Sequence, residues 1–211
     1  MRYPCLFLFS LCLLCVSPDV HSQDPGIELL RRINLQRNTH LDPAFRFVSD
    51  ATAPVAFSLP LLMTGTGLLL HDSATVCNGV YVGCTLASAA VITTVLKYGI
   101  NRPRPFVTYP DIEKAGDAGS PSFPSGHTSD AFALATSLTI AYPKWYVAIP
   151  AYAWGCTVTY ARMDLGVHYP GDVLAGAAVG AGSAVLCRLG QQWLNKKYPR
   201  PLFRKPISAG R

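Results

Sequence analysis

The stretch ATAPVAFSLPLLMTGTGLLL, residues 51–70, runs for twenty residues without a charged side chain. A second uncharged stretch of twenty residues, CNGVYVGCTLASAAVITTVL, follows at residues 77–96. A helix of this length rises about 30 Å, which is the thickness of the hydrocarbon core of a bilayer. Both stretches therefore predict transmembrane helices, and they indicate an all-α membrane bundle.

Three later apolar runs are shorter and allow two interpretations. Residues 129–142 contain Asp130, and residues 145–160 and 173–187 are sixteen and fifteen residues long. Each is a further crossing or a buried core helix. Counting all of them as crossings, we expect a polytopic helical bundle of five transmembrane helices, or six if an N-terminal leader is retained. Only 14% of the residues are charged and 50% are hydrophobic, which agrees with a membrane protein.

The first 22 residues have the features of a signal peptide for export. Arg2 supplies the positive start, residues 5–16 are apolar, and residues 20–22 end in a small side chain. We expect cleavage before Gln23. The alternative is that the segment stays attached as a membrane anchor.

The rest of the chain divides into three parts. Residues 23–50 predict an amphipathic, interfacial region or, alternatively, a segment packed against the domain. The domain itself is expected at 51–190, and residues 191–211 form a basic tail. Seven of the eighteen basic residues lie from Arg188 onward, which favours a cytoplasmic location for the tail. The segments that then face the outside of a bacterial inner membrane are 97–127 and 162–171.

The basic residues do not indicate nucleic acid as a partner. The net charge is +6, but these residues are neither interleaved with aromatic side chains nor collected in one stripe. Four of the seven cysteines lie beyond the leader, in apolar runs without metal-binding spacing. We interpret these four as small buried hydrophobic residues: Cys77, Cys84, Cys156 and Cys187.

Three separated segments carry the chemistry, and the first is rich in cations. KYGINRPRP places Lys97, Arg102 and Arg104 within eight residues at the end of an apolar helix. An arginine fork matches phosphate oxygens, and a lysine adds a point charge. The cluster therefore predicts an anion site, with contact to lipid headgroups as the alternative. We place Arg102 behind the site or at the headgroup.

The second segment, PSFPSGHT at residues 121–128, directly precedes an apolar helix. The free amides of a helix start bind phosphate, and Gly126 lets a ligand approach the backbone. Ordinary capping by Ser125 or Thr128 is the alternative, but it leaves His127 unexplained.

The third segment, RMDLGVHYPGD, starts at Arg162 and holds His168 and Asp172 four residues apart. A helix that begins near Pro170 brings the carboxylate to the imidazole, where it can fix the tautomer of the ring.

Together the three segments resemble the type 2 phosphatidic acid phosphatase family, whose signature is K-x6-RP, PSGH and SR-x5-H-x3-D. Lys97 is followed by six residues and Arg104, PSGH ends at His127, and Arg162 is followed by five residues and His168, then by three and Asp172. Ala161 stands where the family has serine, which removes one hydroxyl.

The resemblance implies catalysis through a phosphohistidine. His168 is the expected nucleophile, Asp172 orients it, and His127 protonates the leaving group. The phosphate is then held by Lys97, Arg104, Ser125, Gly126 and Arg162. No metal and no other cofactor is expected.

The expected substrates are phosphorylated lipids: undecaprenyl diphosphate, phosphatidylglycerol phosphate, phosphatidate or lipid A. One alternative is a soluble periplasmic acid phosphatase of the same superfamily. A vanadium-dependent haloperoxidase is an alternative from another reaction class, because vanadate resembles a phosphoryl transition state. The sequence does not choose among the lipids, and it does not indicate an oligomeric state.

Overall fold

The computed structural model describes residues 26–197, and this part of the chain is helical and contains no strand. The predicted all-α class is confirmed. The predicted signal peptide and residues 198–211 lie outside the described residues. The elements in chain order are α1 (Ile27–Leu35), a 3-10 turn (Thr39–Leu41), α2 (Asp42–Asp50), α3 (Thr52–Leu69), α4 (Ser73–Ile100), α5 (Pro105–Thr108), α6 (Gly126–Ala141), α7 (Trp145–Asp164) and α8 (Pro170–Lys197).

Three helical stretches of the described chain are long and apolar enough to cross a membrane: Thr39–Leu69, Ser73–Thr108 and Pro170–Lys197. Their outer faces carry large apolar side chains, such as Phe57 at 76% exposure and Leu69 at 80%. Lipid-facing helices expose such surface, whereas a soluble protein rarely does. The structure therefore confirms a membrane helical bundle.

Helices α6 and α7 determine how many times the chain crosses the membrane. The helix α6 has 16 residues, about 24 Å of rise, and α7 ends with Arg162 and Asp164 in its last turn. Neither is among the three spanning stretches. The count of five or six crossings stays a prediction.

Helix α6 is the centre of the bundle and contacts α3, α4, α7 and α8. Its closest approach is to α8, where Gly176 and Gly180 lie against the α6 backbone. A Cβ at Gly180 would lie 2.2 Å from the carbonyl oxygen of Ser129. Small residues let membrane helices pack this closely. This contact fixes the start of α6 against the start of α8.

The N-terminal segment packs on the domain, as one of its two interpretations expected. Helices α1 and α2 contact α7, and Ile27 and Leu30 are buried, while Leu29 is half exposed. The fully buried Asn34 amide donates to the carbonyls of Glu113 and Asp164 at 3.0 and 2.8 Å. The segment therefore joins the α5–α6 connection to the end of α7.

Two expectations need adjustment. Cys84 and Cys156 are exposed and Cys77 and Cys187 are only partly buried, so the prediction that these four cysteines are buried was wrong. In a membrane bundle an apolar side chain can face lipid, so apolar surroundings in the sequence do not imply burial. Helix α8 continues to Lys197, so residues 191–197 of the predicted tail are helical.

The close α6–α8 contact gives a stability prediction. Gly180→Ala should lower the thermal stability of the detergent-solubilised protein by several degrees, because overpacking against a rigid backbone costs about 1–3 kcal/mol. Gly182→Ala is the matched control on the same helix, since a Cβ there meets no atom within 4 Å. Equal melting temperatures for the two variants, measured by tryptophan fluorescence, would contradict the packing described.

Candidate active site

The three sequence segments meet at one end of the bundle. The amide of Ser125, at the start of α6, donates to the main-chain carbonyl of Asp172 in the first turn of α8 at 3.0 Å. Arg104, which follows α4, lies with its Nη1 atom 3.4 Å from the Nε2 atom of His168. The side chain of Lys97 passes close to Gly126. Residues far apart in the sequence therefore form one cluster.

Main-chain carbonyls hold the three cations of this cluster in place. Arg104 and Arg162 are buried and Lys97 is partly buried, so each needs acceptors inside the protein. Most of these acceptors belong to one connection, at residues 117–121. The donor and acceptor pairs are Lys97 with Pro121 (2.7 Å), Arg104 with Ser120 (2.8 Å) and Val167 (2.8 Å), and Arg162 with Asp117 (3.0 Å).

His168 is buried, with only 1% exposure, and its two ring nitrogens face different partners. Its Nδ1 atom lies 3.5 Å from the carboxylate of Asp172, on the side away from the cations. Its Nε2 atom faces Arg104. Nδ1 has no hydrogen-bond partner among the described residues, so its contact with Asp172 is electrostatic. A proton on Nδ1 favours this contact and leaves the lone pair of Nε2 facing Arg104.

Asp172 is fully buried and held from three sides. Arg102 donates to one carboxylate oxygen at 2.6 Å, and the other oxygen accepts from the hydroxyl of Ser122 and from the amide of Tyr169. The guanidinium of Arg102 also stacks on the ring of Tyr169 at 3.9 Å. Arg102 therefore lies behind the site, which is one of the two places the sequence left open for it.

The start of α6 is not explained by ordinary capping. Ser125 is the N-cap residue, but its side chain makes no capping hydrogen bond, and its hydroxyl accepts from Thr128 at 3.1 Å. The first amides of a helix have no partner within the helix, so those of α6 remain suited to an anion. This agrees with the interpretation of PSGH as a phosphate-binding segment.

Both histidines are held neutral at physiological pH. Burial lowers the pKa of His168 to about 3, and Arg104 and Arg162 act in the same direction, while Asp172 opposes them. Burial, followed by the charges of Arg162, Arg104 and Lys97, lowers the pKa of His127 to about 4. His127 lies in the first turn of α6, outside the three spanning stretches. Negative charge placed among the cations would raise both pKa values.

Comparison with known proteins agrees with this arrangement. Residues 78–196, more than half of the chain, match the PAP2 superfamily. The chain belongs to the PAP2 superfamily. The resemblance inferred from the three motifs is therefore confirmed.

Individual PAP2 relatives cover different shares of the chain. A lipid A 1-phosphatase of Rhizobium etli is 32% identical over 113 residues, 51% of this chain and 48% of that protein, so the chain spans about half its length. An undecaprenyl-diphosphatase of Sulfolobus acidocaldarius is 31% identical over 160 residues, 74% of this chain and 73% of that protein. The crystal structure of Aquifex aeolicus LpxE matches with a TM-score of 0.69 at 25% identity, covering 81% of this chain and 98% of that one.

The structure adds two serines that the motifs did not identify. Ser122 contacts Asp172, and the fully buried Ser49 of α2 accepts from Nη1 of Arg162. Ser49 brings a hydroxyl to the arginine next to Ala161, the position that lacks the family serine. Because 113 residues separate Ser49 from Arg162, no local pattern indicates this contact.

The contact between Ser49 and Arg162 can be tested by anion binding. Ser49→Ala should weaken the affinity for inorganic phosphate about tenfold, because a hydrogen bond to a charged group contributes about 1.5–3 kcal/mol. Calorimetric titration of the solubilised protein measures this. Ser137→Ala is the control, since Ser137 is equally buried and donates only to the carbonyl of Leu134. Equal phosphate affinity in both variants would show that Ser49 does not position Arg162.

Proposed function

We propose that this PAP2 protein hydrolyses phosphate monoesters or diphosphates of membrane lipids through a phosphohistidine, without a metal ion. One observation carries the proposal. Buried His168 has a carboxylate at one ring nitrogen and a cluster of cations at the other. A neutral imidazole in this position can attack a phosphorus atom held by those cations.

The first step forms a bond between Nε2 of His168 and phosphorus and breaks the bond from phosphorus to the lipid oxygen. His127 donates a proton to that oxygen, so the lipid leaves as an alcohol or a phosphate. Asp172 stabilises the positive charge that the attacking imidazole acquires. In the second step, His127 takes a proton from water, the water oxygen attacks phosphorus, and inorganic phosphate leaves with His168 restored.

His127 needs a proton for the first step, although its pKa is low in the site without substrate. The pKa is low partly because three cations lie near it. A bound phosphate brings negative charge next to the imidazole and offsets these cations. Binding of the substrate therefore raises the pKa of His127 and gives it the proton that the leaving group requires.

The same cations stabilise the transition state. Lys97, Arg104 and Arg162 contribute positive charge, and the Ser125 hydroxyl and the Gly126 amide add hydrogen bonds. Donors fixed before the reaction lose little free energy in reorganisation, which makes them effective for a developing charge. Three fixed cations supply the charge that a metal ion supplies in other phosphoryl transfer enzymes.

A lipid is the substrate class that fits the bundle. The cluster lies at the ends of helices whose sides expose apolar surface, so a headgroup can reach it while the chains stay in the bilayer. The relatives named as lipid A 1-phosphatase and undecaprenyl-diphosphatase support lipid A and undecaprenyl diphosphate as candidates. Phosphatidate and phosphatidylglycerol phosphate are the other two candidate substrates. We place the site on the outer face of a bacterial inner membrane, since the basic tail favours the cytoplasm.

Phosphate release from the four lipids, measured in EDTA, tests the reaction. Wild-type protein should release phosphate from at least one of them. His168→Ala should lower kcat by about three orders of magnitude or more, because loss of a nucleophile removes the covalent route. His40→Ala is the matched control, since His40 is exposed in the 3-10 turn.

Two outcomes would contradict the proposal. Loss of wild-type activity in EDTA that returns with added metal would disprove metal independence. Near-normal kcat in His168→Ala, with a thermal stability equal to that of wild type, would show that another residue attacks phosphorus.

A further inference from the structure

A polar cavity of about 280 Å³ lies beside the cation cluster, which consists of Lys97, Arg104 and Arg162. The cavity and the cation cluster share Arg162. The cavity is bounded by the end of α2, the connection at residues 114–117 and the end of α7. Neither His127 nor His168 lines it, so it is distinct from the place where phosphorus reacts. Its floor is buried and consists of Ser49, Ala115, Gly116, Arg162 and Leu165, and its rim is exposed and consists of Arg46, Asp50, Lys114 and Asp117.

The rim combines positive and negative side chains that are not paired with each other. Within residues 26–197, neither Arg46 nor Lys114 lies within ion-pair distance of a carboxylate, and Lys114 lies over the ring of Phe106 at 5.0 Å. Cations bind an anionic group, while carboxylates accept hydrogen bonds from hydroxyl groups. A bare phosphate would be repelled by Asp50 and Asp117. A group that carries both hydroxyls and a negative charge can interact favourably with the cations and with the carboxylates of the rim.

The buried floor also has an unsatisfied donor. The guanidinium of Arg162 is 2% exposed, and its Nε atom has no hydrogen-bond partner among the described residues. The Nε atom is itself enclosed, so a ligand in the cavity interacts with the positive charge of the guanidinium. Because Arg162 contributes to both the cavity and the cation cluster, one ligand can occupy both.

The cavity adjoins the start of a long apolar helix. Asp50 is the last residue of α2, and α3 starts at Thr52 and continues for 18 residues without a charge. Phe47, next to Arg46 in sequence, is 72% exposed, as expected for a side chain at the bilayer interface. A lipid whose phosphate is bound by Arg162 therefore has the remainder of its headgroup beside this rim.

We propose that the cavity is a headgroup subsite for a sugar or other polyol that carries a second anionic group. The anionic group binds Arg46 and Lys114, and the hydroxyls donate to Asp50 and Asp117. At about 280 Å³ the cavity is close to the lower end of the usual range for ligand pockets, about 300–1,000 Å³, so it can hold part of a sugar headgroup. The inference rests on the proposed lipid phosphatase function and adds the part of the substrate that determines specificity.

The test compares two lipids that differ in headgroup. Lipid A offers a glucosamine disaccharide with two phosphates, and phosphatidate offers its phosphate alone. The double variant Arg46→Ala/Lys114→Ala should raise KM for lipid A about tenfold and leave kcat and the phosphatidate reaction unchanged. Arg32→Ala is the control, because it removes a positive charge from an exposed position of the N-terminal helices outside the cavity. Binding of lipid A to His168→Ala protein with and without the double substitution provides a readout independent of turnover.

Each other outcome has a distinct meaning. An equal loss with both lipids, or an equal loss in the control variant, would overturn the subsite, because the two side chains would then act through general attraction to the membrane. Equal lipid A binding with and without the double substitution would overturn it as well. Hydrolysis of neither lipid by wild-type protein, with the binding difference intact, would preserve the subsite and contradict the proposed function for these two lipids.

Discussion

The confinement of three positive charges at one end of a membrane bundle is the constraint on which the site depends. Arg104 and Arg162 are buried and Lys97 is partly buried, and their repulsion is offset by main-chain carbonyls of the connection between α5 and α6. Carbonyl dipoles satisfy the donors without neutralising the charge. The cluster therefore keeps its attraction for an anion, and a lipid phosphate is the anion in the proposed reaction.

Two sets of contacts fix the positions of that connection and of the helix ends. Gly176 and Gly180 let α6 and α8 approach until the amide of Ser125 reaches the carbonyl of Asp172. On the other side, Asn34 binds both the connection and the end of α7. The N-terminal helices thus contact the candidate site directly, through Asn34 and Ser49.

The sequence predicted much of this arrangement because the motifs combine unusual residue types with fixed spacing. His168 and Asp172 lie four residues apart around the start of a helix, so their contact follows from local geometry. Ser49 and Asn34 could not be predicted, because each reaches its partner across more than 70 residues and neither belongs to a periodic pattern. The exposure of Cys84 was missed for another reason: next to lipid, hydrophobicity does not distinguish the inside of the bundle from its surface.

The central claim is that His168 attacks phosphorus, and trapping the covalent intermediate tests it most directly. Wild-type protein mixed with a lipid labelled with ³²P at the reacting phosphate, then quenched in alkali, should retain label that acid removes, as expected for a phosphohistidine. Mass spectrometry of the digested protein should place the phosphate on His168, and His168→Ala protein should retain none. Label on any other residue, or label that persists in His168→Ala protein, would contradict the account.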